Sequence, residues 1–256
     1  MKKISFEETR ALQLELLREL SAFCEQHQIT YFIAYGTLLG AVRHGGFIPW
    51  DDDVDVMMPH TDFERFAALY KGDKFKVVFC KFEKEFGYSF GRFVNTETYS
   101  LYGKQKSYGV NLDIYPMYGC PDSSQQQQQH LKRYWRLVVI SNFLIRVRSK
   151  LARMGLWPKK TFAFYINNFI LRKQVQQLEK YPYRQGDSFY LNSGDRAIYP
   201  KSLVAEKCLL KFEDLQVAAP LKYDELLTLH YGDYMKLPPE ENRVPYHHGD
   251  YFIKES

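Results

Sequence analysis

The sequence predicts an α+β fold in which a mixed β-sheet is flanked by helices and followed by a helical accessory region. Residues 5–115 alternate helical periodicity with short β-branched and aromatic runs. Beyond residue 121 come two basic, apolar helical stretches, near 129–153 and 160–179. The composition, 45% hydrophobic and 25% charged residues in 256, is typical of globular proteins and excludes disorder, collagen and coiled coil as the main character.

The first half of the chain is predicted to begin with a helix. Ser5 and Glu8 form a capping box, which predicts a helix over 6–26 with Leu12, Leu16 and Leu20 on one face. A second capping box, Thr61 to Glu64, predicts a helix to about residue 70, and Gly36-Thr37 open a short helix to about residue 42. Strands are predicted over 31–35, 54–58, 75–80, 88–95 and 110–115.

In the second half, Gln125–Gln129 are predicted to lie in a linker or at a helix start. A last helix is expected over 223–231, with Gly232 as its C-terminal cap.

The charge of the chain is unevenly distributed. The net charge is +5, yet residues 131–180 contain twelve basic residues and one acid, Glu179, so this segment carries +11. Its cations are interleaved with aromatic and aliphatic side chains, which suits either peripheral contact with an anionic membrane or a solvated face over an ordinary core. Nucleic acid is not expected as a partner, because no nucleic-acid-binding module is recognisable.

Neither secretion nor a metal site formed by cysteines is expected. The four cysteines are widely spaced without a C-x-x-C pair, which disfavours a zinc site and is typical of reduced structural cysteines. No apolar run approaches the roughly 20 residues of a membrane span, and the first residues lack the apolar stretch of a signal peptide. The sequence therefore predicts a cytoplasmic protein, and peripheral contact with the inner face of the cell membrane is compatible with this prediction.

The most informative segment is the acidic run at residues 50–56, WDDDVDV. In an extended chain Asp51, Asp53 and Asp55 would point to one face, and three adjacent carboxylates repel one another unless a cation or a proton neutralises them. Clustered oxygen ligands suit Mg²⁺ or Mn²⁺. A solvated acidic loop is the alternative interpretation.

Two further features lie close to the acidic run in the predicted sheet. The strand–Gly36-Thr37–helix unit would place backbone N–H groups and a helix N-terminus where a phosphate could bind. Asp113 would point away from the core on a neighbouring strand, either as a further metal ligand or as a general base toward an acceptor hydroxyl. Metal-binding carboxylates beside a phosphate site are the components of phosphoryl or nucleotidyl transfer.

Three sequence blocks together resemble the LicD family of the nucleotidyltransferase-fold superfamily, to which fukutin-type proteins are related. The first is residues 35–55, YGTLLGAVRHGGFIPWDDDVD, and the second is residues 113–117, DIYPM. The third is residues 231–243, YGDYMKLPPEENR, followed by His247 and His248. The resemblance spans residues 5–248, whereas residues 121–200 carry no motif that matches.

The resemblance implies a nucleotidyltransferase-like catalytic core in residues 1–120 and a mostly helical accessory region in 121–256, whose C-terminal segment returns to the active site. It implies metal-dependent transfer of phosphocholine from CDP-choline to a hydroxyl of a lipid-linked glycan acceptor, a precursor of teichoic acid or lipopolysaccharide. Mg²⁺ or Mn²⁺ would be the cofactor. The implied metal ligands are Asp51, Asp53, Asp55 and Asp113, the last three also being catalytic. The implied donor-phosphate ligands are Gly36, Thr37, Arg43, Arg243 and His247.

Several alternatives stay open from the sequence. The carried alcohol could be another one, such as ribitol, and a nucleotidyltransferase would use the same metal site but leave the nucleotide on the acceptor. A non-catalytic binding protein on the same scaffold is a further alternative. A choline head would be expected in an aromatic cage, and the aromatic residues nearest the motifs are Trp50, Tyr88, Phe90, Tyr115 and Tyr118. Additional phosphate-binding candidates are Arg92, Lys104 and Lys106.

Overall fold

The structure, a computed structural model, describes residues 2–84, 86–102, 105–153, 162–193, 196–244 and 250–254. Its helices are α1 (Phe6–Gln26), α2 (Tyr35–His44), α3 (His60–Leu69), α4 (Ser124–Arg153), α5 (Phe162–Leu178) and α6 (Tyr223–Tyr231). Its strands are β1 (Phe32–Ile33), β2 (Asp55–Pro59), β3 (Phe75–Val78), β4 (Gly91–Asn95), β5 (Thr98–Tyr102), β6 (Gln105–Tyr108), β7 (Asn111–Gly119), β8 (Ser188–Leu191), β9 (Ile198–Pro200), β10 (Lys207–Phe212), β11 (Leu215–Pro220) and β12 (Tyr251–Ile253). The fold class is α+β, as predicted.

The chain divides into two compact units, each assembled from separate segments. Unit 1 comprises Met1–Val77, Arg92–Pro116 and Lys201–Ser256. Unit 2 comprises Val78–Gly91 and Met117–Pro200. The polypeptide therefore passes between the units four times, and β7 belongs to unit 1 up to Pro116 and to unit 2 from Met117.

Unit 1 is built on a sheet with the strand order β1–β2–β7–β4–β3. β1 pairs antiparallel with β2, so that Ile33 lies opposite Val56. The N–H of Asp113 in β7 donates to the carbonyl of Val54, 2.9 Å away, which brings Asp113 next to the start of β2. β10 and β11 form an antiparallel hairpin, and β5 is the centre of a three-stranded antiparallel sheet between β12 and β6.

Helices cover unit 1 because each has one apolar stripe. Leu16 and Leu20 of α1, Phe66 of α3 and Leu227 of α6 are fully buried. α2 packs against β2, β10 and α6, and these contacts fix the position of this short helix.

Unit 2 combines two long helices with the end of β7 and the strands β8 and β9. α4 packs against α5, and the end of β7 pairs antiparallel with β8, which pairs in turn with β9. Its core is aromatic, with Tyr134 of α4 packed edge-on against Tyr190 of β8 at a ring-centroid distance of 5.5 Å. Within the described ranges, none of the helices is both long enough and apolar enough to cross a membrane.

The prediction for α1 is confirmed, including its cap. The Ser5 hydroxyl accepts from the N–H of Glu8 at 3.1 Å, and the Glu8 carboxylate accepts from the N–H of Ser5 at 2.8 Å. The second capping box was wrong. α3 begins at His60, directly after Pro59, and has no side-chain cap. The reason is that β2 continues to Pro59, and the rigid ring of this proline sets the turn into the helix.

The boundaries of the predicted strands shifted around the acidic segment. Tyr35, expected in a strand, is the first residue of α2, and the second strand begins at Asp55 rather than at Val54. Asp51–Asp53 therefore lie in a loop, and strand alternation does not govern their directions. Gln125–Gln129 belong to the first turns of α4.

Candidate metal and phosphate site

Polar side chains of α1 form hydrogen bonds with the backbone of the acidic loop at residues 51–53. Arg10 donates through Nη2 to the carbonyls of Ile48 and Asp51, at 2.5 and 2.8 Å. Gln13 donates through Nε2 to the carbonyl of Asp52 at 2.8 Å, and only 1% of Gln13 is exposed. Because these bonds go to backbone oxygens, they fix the path of the loop and leave the carboxylates to other partners.

The carboxylates of this loop form a tight cluster. Asp51, Asp52 and Asp53 each offer one oxygen within 4.8 Å of the others, and all three are half-buried. Burial first, and then the negative charge of Asp53, raise the pKa of Asp51 from 3.8 to about 7. The cluster is therefore destabilised by its own charge, which is the condition that a bound cation or a proton relieves.

Asp55 lies beside this cluster, at the first position of β2. It is 6% exposed, and its N–H donates to the Thr37 hydroxyl at 2.8 Å, while its carbonyl accepts from the N–H of Ala34 at 2.9 Å. Thr37, predicted to bind phosphate, is itself 2% exposed. In this structure its hydroxyl thus fastens the first turn of α2 to the start of β2.

Gly36, the other residue expected at the phosphate site, is packed against the acidic cluster. A Cβ atom at this position would stand 2.4 Å from Oδ2 of Asp51, closer than real Cβ contacts. The preceding residue, Tyr35, has a φ of +44°, a value that is strained for a residue with a side chain. The turn from β1 into α2 therefore has a conformation that places backbone directly against the Asp51 carboxylate.

Asp113 lies within an ion pair. Its Oδ1 accepts from Nε of Arg92 at 2.7 Å and from Nδ2 of Asn111 at 2.8 Å, and its Oδ2 lies 3.4 Å from Nη2 of Arg92. The side chain of Arg92 is 22% exposed and that of Asp113 is 12% exposed. A carboxylate that is paired with a fixed guanidinium is neutralised without a metal ion, so Asp113 differs in this respect from the loop cluster.

Tyrosines border the carboxylates. Burial and then the charges of Asp55, Asp113 and Asp53 raise the pKa of Tyr115, and burial followed by Asp55, Asp51 and Asp53 raises that of Tyr231. The pKa of Tyr251 in β12 is raised to about 12, first by burial and then by nearby carboxylates that include Asp113. Tyr35 contacts Tyr115 edge-on at a centroid distance of 5.5 Å. Aromatic rings and carboxylates are thus neighbours at this site.

Two arginines lie on another border of the site. Arg43, near the end of α2, donates to the carbonyl of Tyr234 at 2.9 Å. The guanidinium carbon of Arg243 lies 5.6 Å from the centroid of the Trp50 ring, and Nε of Arg243 donates to the carbonyl of Pro238 at 2.9 Å. Burial and then the charge of Arg243 lower the pKa of Arg43, while the Tyr231 hydroxyl opposes the shift. Arg243, in the C-terminal sequence block, is thus close enough to Arg43 for its charge to act on the Arg43 guanidinium.

Most of the predicted site residues come together within unit 1. Of the remainder, His247, His248 and Lys104 lie outside the described residues, as does the side chain of Lys106. Tyr88, Phe90 and Tyr118 belong to unit 2, where Tyr118 is 1% exposed.

Sequence reasoning missed four residues of this site: Arg10, Gln13, Asp52 and Tyr251. Gln13 had a usable signal, because it is a polar residue on the apolar face of a predicted helix, where an unpaired amide would be costly. Asp52 was assigned to the opposite face by strand alternation. Tyr251 lies in a three-residue strand whose pairing partner, β5, is about 150 residues away in the chain, so no local pattern could identify it.

The donor set fits a hard divalent cation. The cluster consists of carboxylate oxygens in a half-buried loop where the pKa of Asp51 is raised, and such oxygens are the ligands that Mg²⁺ and Mn²⁺ prefer. The approach of Gly36 to Asp51 provides backbone next to the cluster, where a phosphate group would need space. Asp55 follows two residues later in the chain and is not part of this cluster of three carboxylates.

Comparison with known proteins relates this site to a family. Residues 28–159 match the family described as LicD/FKTN/FKRP, nucleotidyltransferase domain. The chain is 29% identical to lipopolysaccharide cholinephosphotransferase LicD of Haemophilus influenzae, over 99% of this chain and 100% of that protein. Human ribitol 5-phosphate transferase FKRP is 29% identical over 43% of this chain and 21% of its own length. An uncharacterised protein of Rickettsia typhi is 43% identical over 27% of this chain and 23% of its own length.

The matched region contains β1, α2, β2 and β7, the elements that carry the acidic cluster, Thr37 and Asp113. The family match extends over slightly more than half of the chain, and the signature residues within it are those that the structure gathers around the cluster. The chain belongs to the LicD/FKTN/FKRP nucleotidyltransferase-domain family.

Proposed function

We propose that this protein transfers phosphocholine from CDP-choline to a hydroxyl of a cell-surface glycan precursor. The observation that carries the proposal is the cluster of Asp51, Asp52 and Asp53, whose charge calls for a cation, within a chain that is related over its full length to a cholinephosphotransferase. A lipid-linked acceptor of the teichoic acid or lipopolysaccharide type is part of the proposal.

Asp51, Asp53 and Asp55 would hold Mg²⁺ or Mn²⁺, with Asp52 as an additional oxygen donor. The ion, when bound, would neutralise the donor diphosphate and the cytidylate that leaves. The residues of the chain would do the positioning. Arg10 and Gln13 keep the loop in place, and the Thr37 hydroxyl holds the N–H of Asp55, so the carboxylates are already gathered before the substrate arrives.

Arg43 and Arg243 would bind oxygens of the donor diphosphate, because a pair of nearby cations beside a carboxylate cluster favours a ligand with both a metal and a negative charge. Arg43 is anchored through the Tyr234 carbonyl, and Arg243 is anchored through the Pro238 carbonyl. Their remaining N–H groups supply charge-assisted hydrogen bonds. His247 would be a further ligand of the donor phosphate.

Asp113 would act as a further carboxylate, either as a metal ligand or as the base that accepts the proton of the acceptor hydroxyl. Its ion pair with Arg92 constrains both roles, since Arg92 must release an oxygen of Asp113 or share it. Arg92 would then be available to an oxygen of the phosphate that is transferred.

The tyrosines favour choline as the alcohol carried by the donor. A quaternary ammonium is attracted to the faces of aromatic rings, and Tyr35, Tyr115 and Tyr231 lie beside the carboxylates. Ribitol has no positive charge and would gain no such attraction. The relationship to FKRP keeps CDP-ribitol as the second donor to be tested.

The test combines purified protein with Mg²⁺, CDP-choline and a lipid-linked glycan extract. CMP release and the mass of the acceptor are measured, with CDP-ribitol in a parallel reaction. The site variant is Asp53→Asn, and the matched control is Asp73→Asn, an exposed carboxylate of unit 1 outside the cluster. CMP and a phosphocholine-bearing acceptor are expected with the control and at least 100-fold less with the site variant.

The other outcomes separate the alternatives. A nucleotide attached to the acceptor would identify a nucleotidyltransferase. CMP release with CDP-ribitol but not with CDP-choline would identify ribitol phosphate as the group that is transferred. If no donor is consumed and calorimetry detects no Mn²⁺ binding, the protein is a binding protein on this scaffold and the proposal is wrong.

A further inference from the structure

Unit 2 contains a cavity of about 900 Å³ whose lining residues are remote in sequence from the carboxylate cluster and are not among those assigned to the transfer reaction above. It is formed along one face of α4 and by the segment that leads into β9. The size lies within the range of ligand-binding pockets, about 300–1,000 Å³. Its lining residues are Ser124, Gln127, Gln128, Leu131, Lys132, Trp135, Arg136, Val139, Ile140, Arg196 and Ile198.

The charged part of this wall is entirely cationic. Lys132, Arg136 and Arg196 contribute to it, and none of them forms an ion pair with a carboxylate in the part of the chain that the structure describes. The guanidinium of Arg196 lies 4.7 Å from the centroid of the Trp135 ring. The first turn of α4 contains no acidic residue either. This end of the cavity is therefore suited to an anion.

The cavity also has an apolar part further along α4. Val139 and Ile140 line it, and their side chains are 62% and 46% exposed. Phe143, one turn beyond them, is 63% exposed. Because Lys132 and Arg136 precede Val139, Ile140 and Phe143 on the helix, the cationic and apolar parts follow each other along its axis. The indole N–H of Trp135, which lines the cavity next to Arg136, is buried and donates to no atom of the described residues.

We propose that this cavity binds an amphiphilic phosphate ester, with the phosphate against Lys132, Arg136 and Arg196 and the hydrocarbon chain along Val139, Ile140 and Phe143. The order of cations and apolar side chains along one helix face matches the order of head and chain in such a molecule. Neither inorganic phosphate nor a neutral alcohol would use both parts of the wall, and binding should require the two together.

The test is calorimetry on the full-length protein with three probes, namely farnesyl phosphate, farnesol and inorganic phosphate. We expect farnesyl phosphate to bind at least tenfold more tightly than either of the others. Arg136→Gln should weaken its binding at least fivefold, whereas Arg133→Gln should leave it unchanged. Arg133 is the matched control, because it is an exposed arginine of the same helix that does not line the cavity. Circular dichroism and thermal unfolding verify that both variants fold.

Three results would overturn the proposal. Equal affinity for farnesol and farnesyl phosphate would mean that the cations take no part, and equal loss in Arg133→Gln and Arg136→Gln would mean that only the overall positive charge of α4 matters. Sedimentation with phosphatidylglycerol vesicles, without binding of farnesyl phosphate, would assign the helix face to a bilayer surface. The measurement needs no turnover, so its failure leaves the transfer reaction standing, and inactive Asp53→Asn protein should still bind farnesyl phosphate.

Discussion

At the scale of single residues, the carboxylates of the acidic loop repel one another, and a bound cation would reduce this repulsion. Arg10 and Gln13 hold the backbone of Asp51 and Asp52 in place, so the carboxylates cannot separate by moving the loop. Burial and the charge of Asp53 raise the pKa of Asp51 to about 7. Because the carboxylates are already held together, a cation would bind without the free-energy cost of bringing its ligands together.

This repulsion predicts a pH dependence of stability. Between pH 3.8 and about 7 the folded state keeps a proton on Asp51 that the unfolded state has lost, so the free energy of unfolding falls as pH rises in that window. Asp51→Asn should remove this contribution and raise the free energy of unfolding by up to about 4 kcal/mol relative to the unmodified protein at pH 8. Urea unfolding in EDTA at pH 5, 6, 7 and 8 measures the difference. Parallel curves for the two proteins would contradict the prediction.

A second residue-scale prediction concerns Gly36. Gly36→Ala should improve the helix propensity of α2 by about 1 kcal/mol, yet its Cβ would displace Asp51 from the cluster. We expect near-normal thermal stability together with at least a tenfold loss of Mn²⁺ affinity, measured by calorimetry. Gly87→Ala is the control, because a Cβ at that position meets no atom within 4 Å. Normal Mn²⁺ affinity in Gly36→Ala would show that the cluster tolerates the shift.

At the scale of elements, two identical sequence signals had different outcomes. Ser5 caps α1 as its spacing to Glu8 predicts, whereas Thr61 caps nothing because β2 runs to Pro59 and α3 follows at once. Ser5→Ala should therefore cost about 1 kcal/mol of folding stability. Thr61→Ala should change it by less than about 0.5 kcal/mol. Chemical unfolding of both variants compares them directly, and a similar loss in both would contradict the assigned caps.

Elements with strong local patterns were predictable, and elements formed by distant pairing were not. α1 and the helix pair α4 and α5 have apolar periodicity over several turns. β12 has three residues, and β5 and β6 are a short hairpin, so their pairing depends on tertiary contacts. For the site, the acidic motif and Asp113 were visible in the sequence. The ion pair of Asp113 with Arg92 and the contribution of Tyr251 required coordinates.

At the scale of the whole molecule, unit 1 depends on its last strand. β12 pairs with β5, and its Tyr251 carbonyl accepts from the N–H of Ile4 at 2.9 Å, so it also fixes the start of the chain. Deleting residues 250–256 should lower the melting temperature by at least about 4 °C. Tyr251→Phe keeps the strand and should leave the melting temperature nearly unchanged. Equal losses in calorimetric scans of the two variants would assign the effect to the hydroxyl instead.

The pairing of β12 with β5 also has a consequence for biosynthesis. β5 ends at Tyr102 and β12 begins at Tyr251, so at 5–20 residues per second a ribosome needs roughly 7 to 30 s to make the strand that completes this sheet. During that interval the nascent chain has one side of β5 without its final partner, and such an edge is a template for association with other chains. We expect newly made protein to aggregate more readily than the finished molecule, and slower translation after residue 102 to increase the loss.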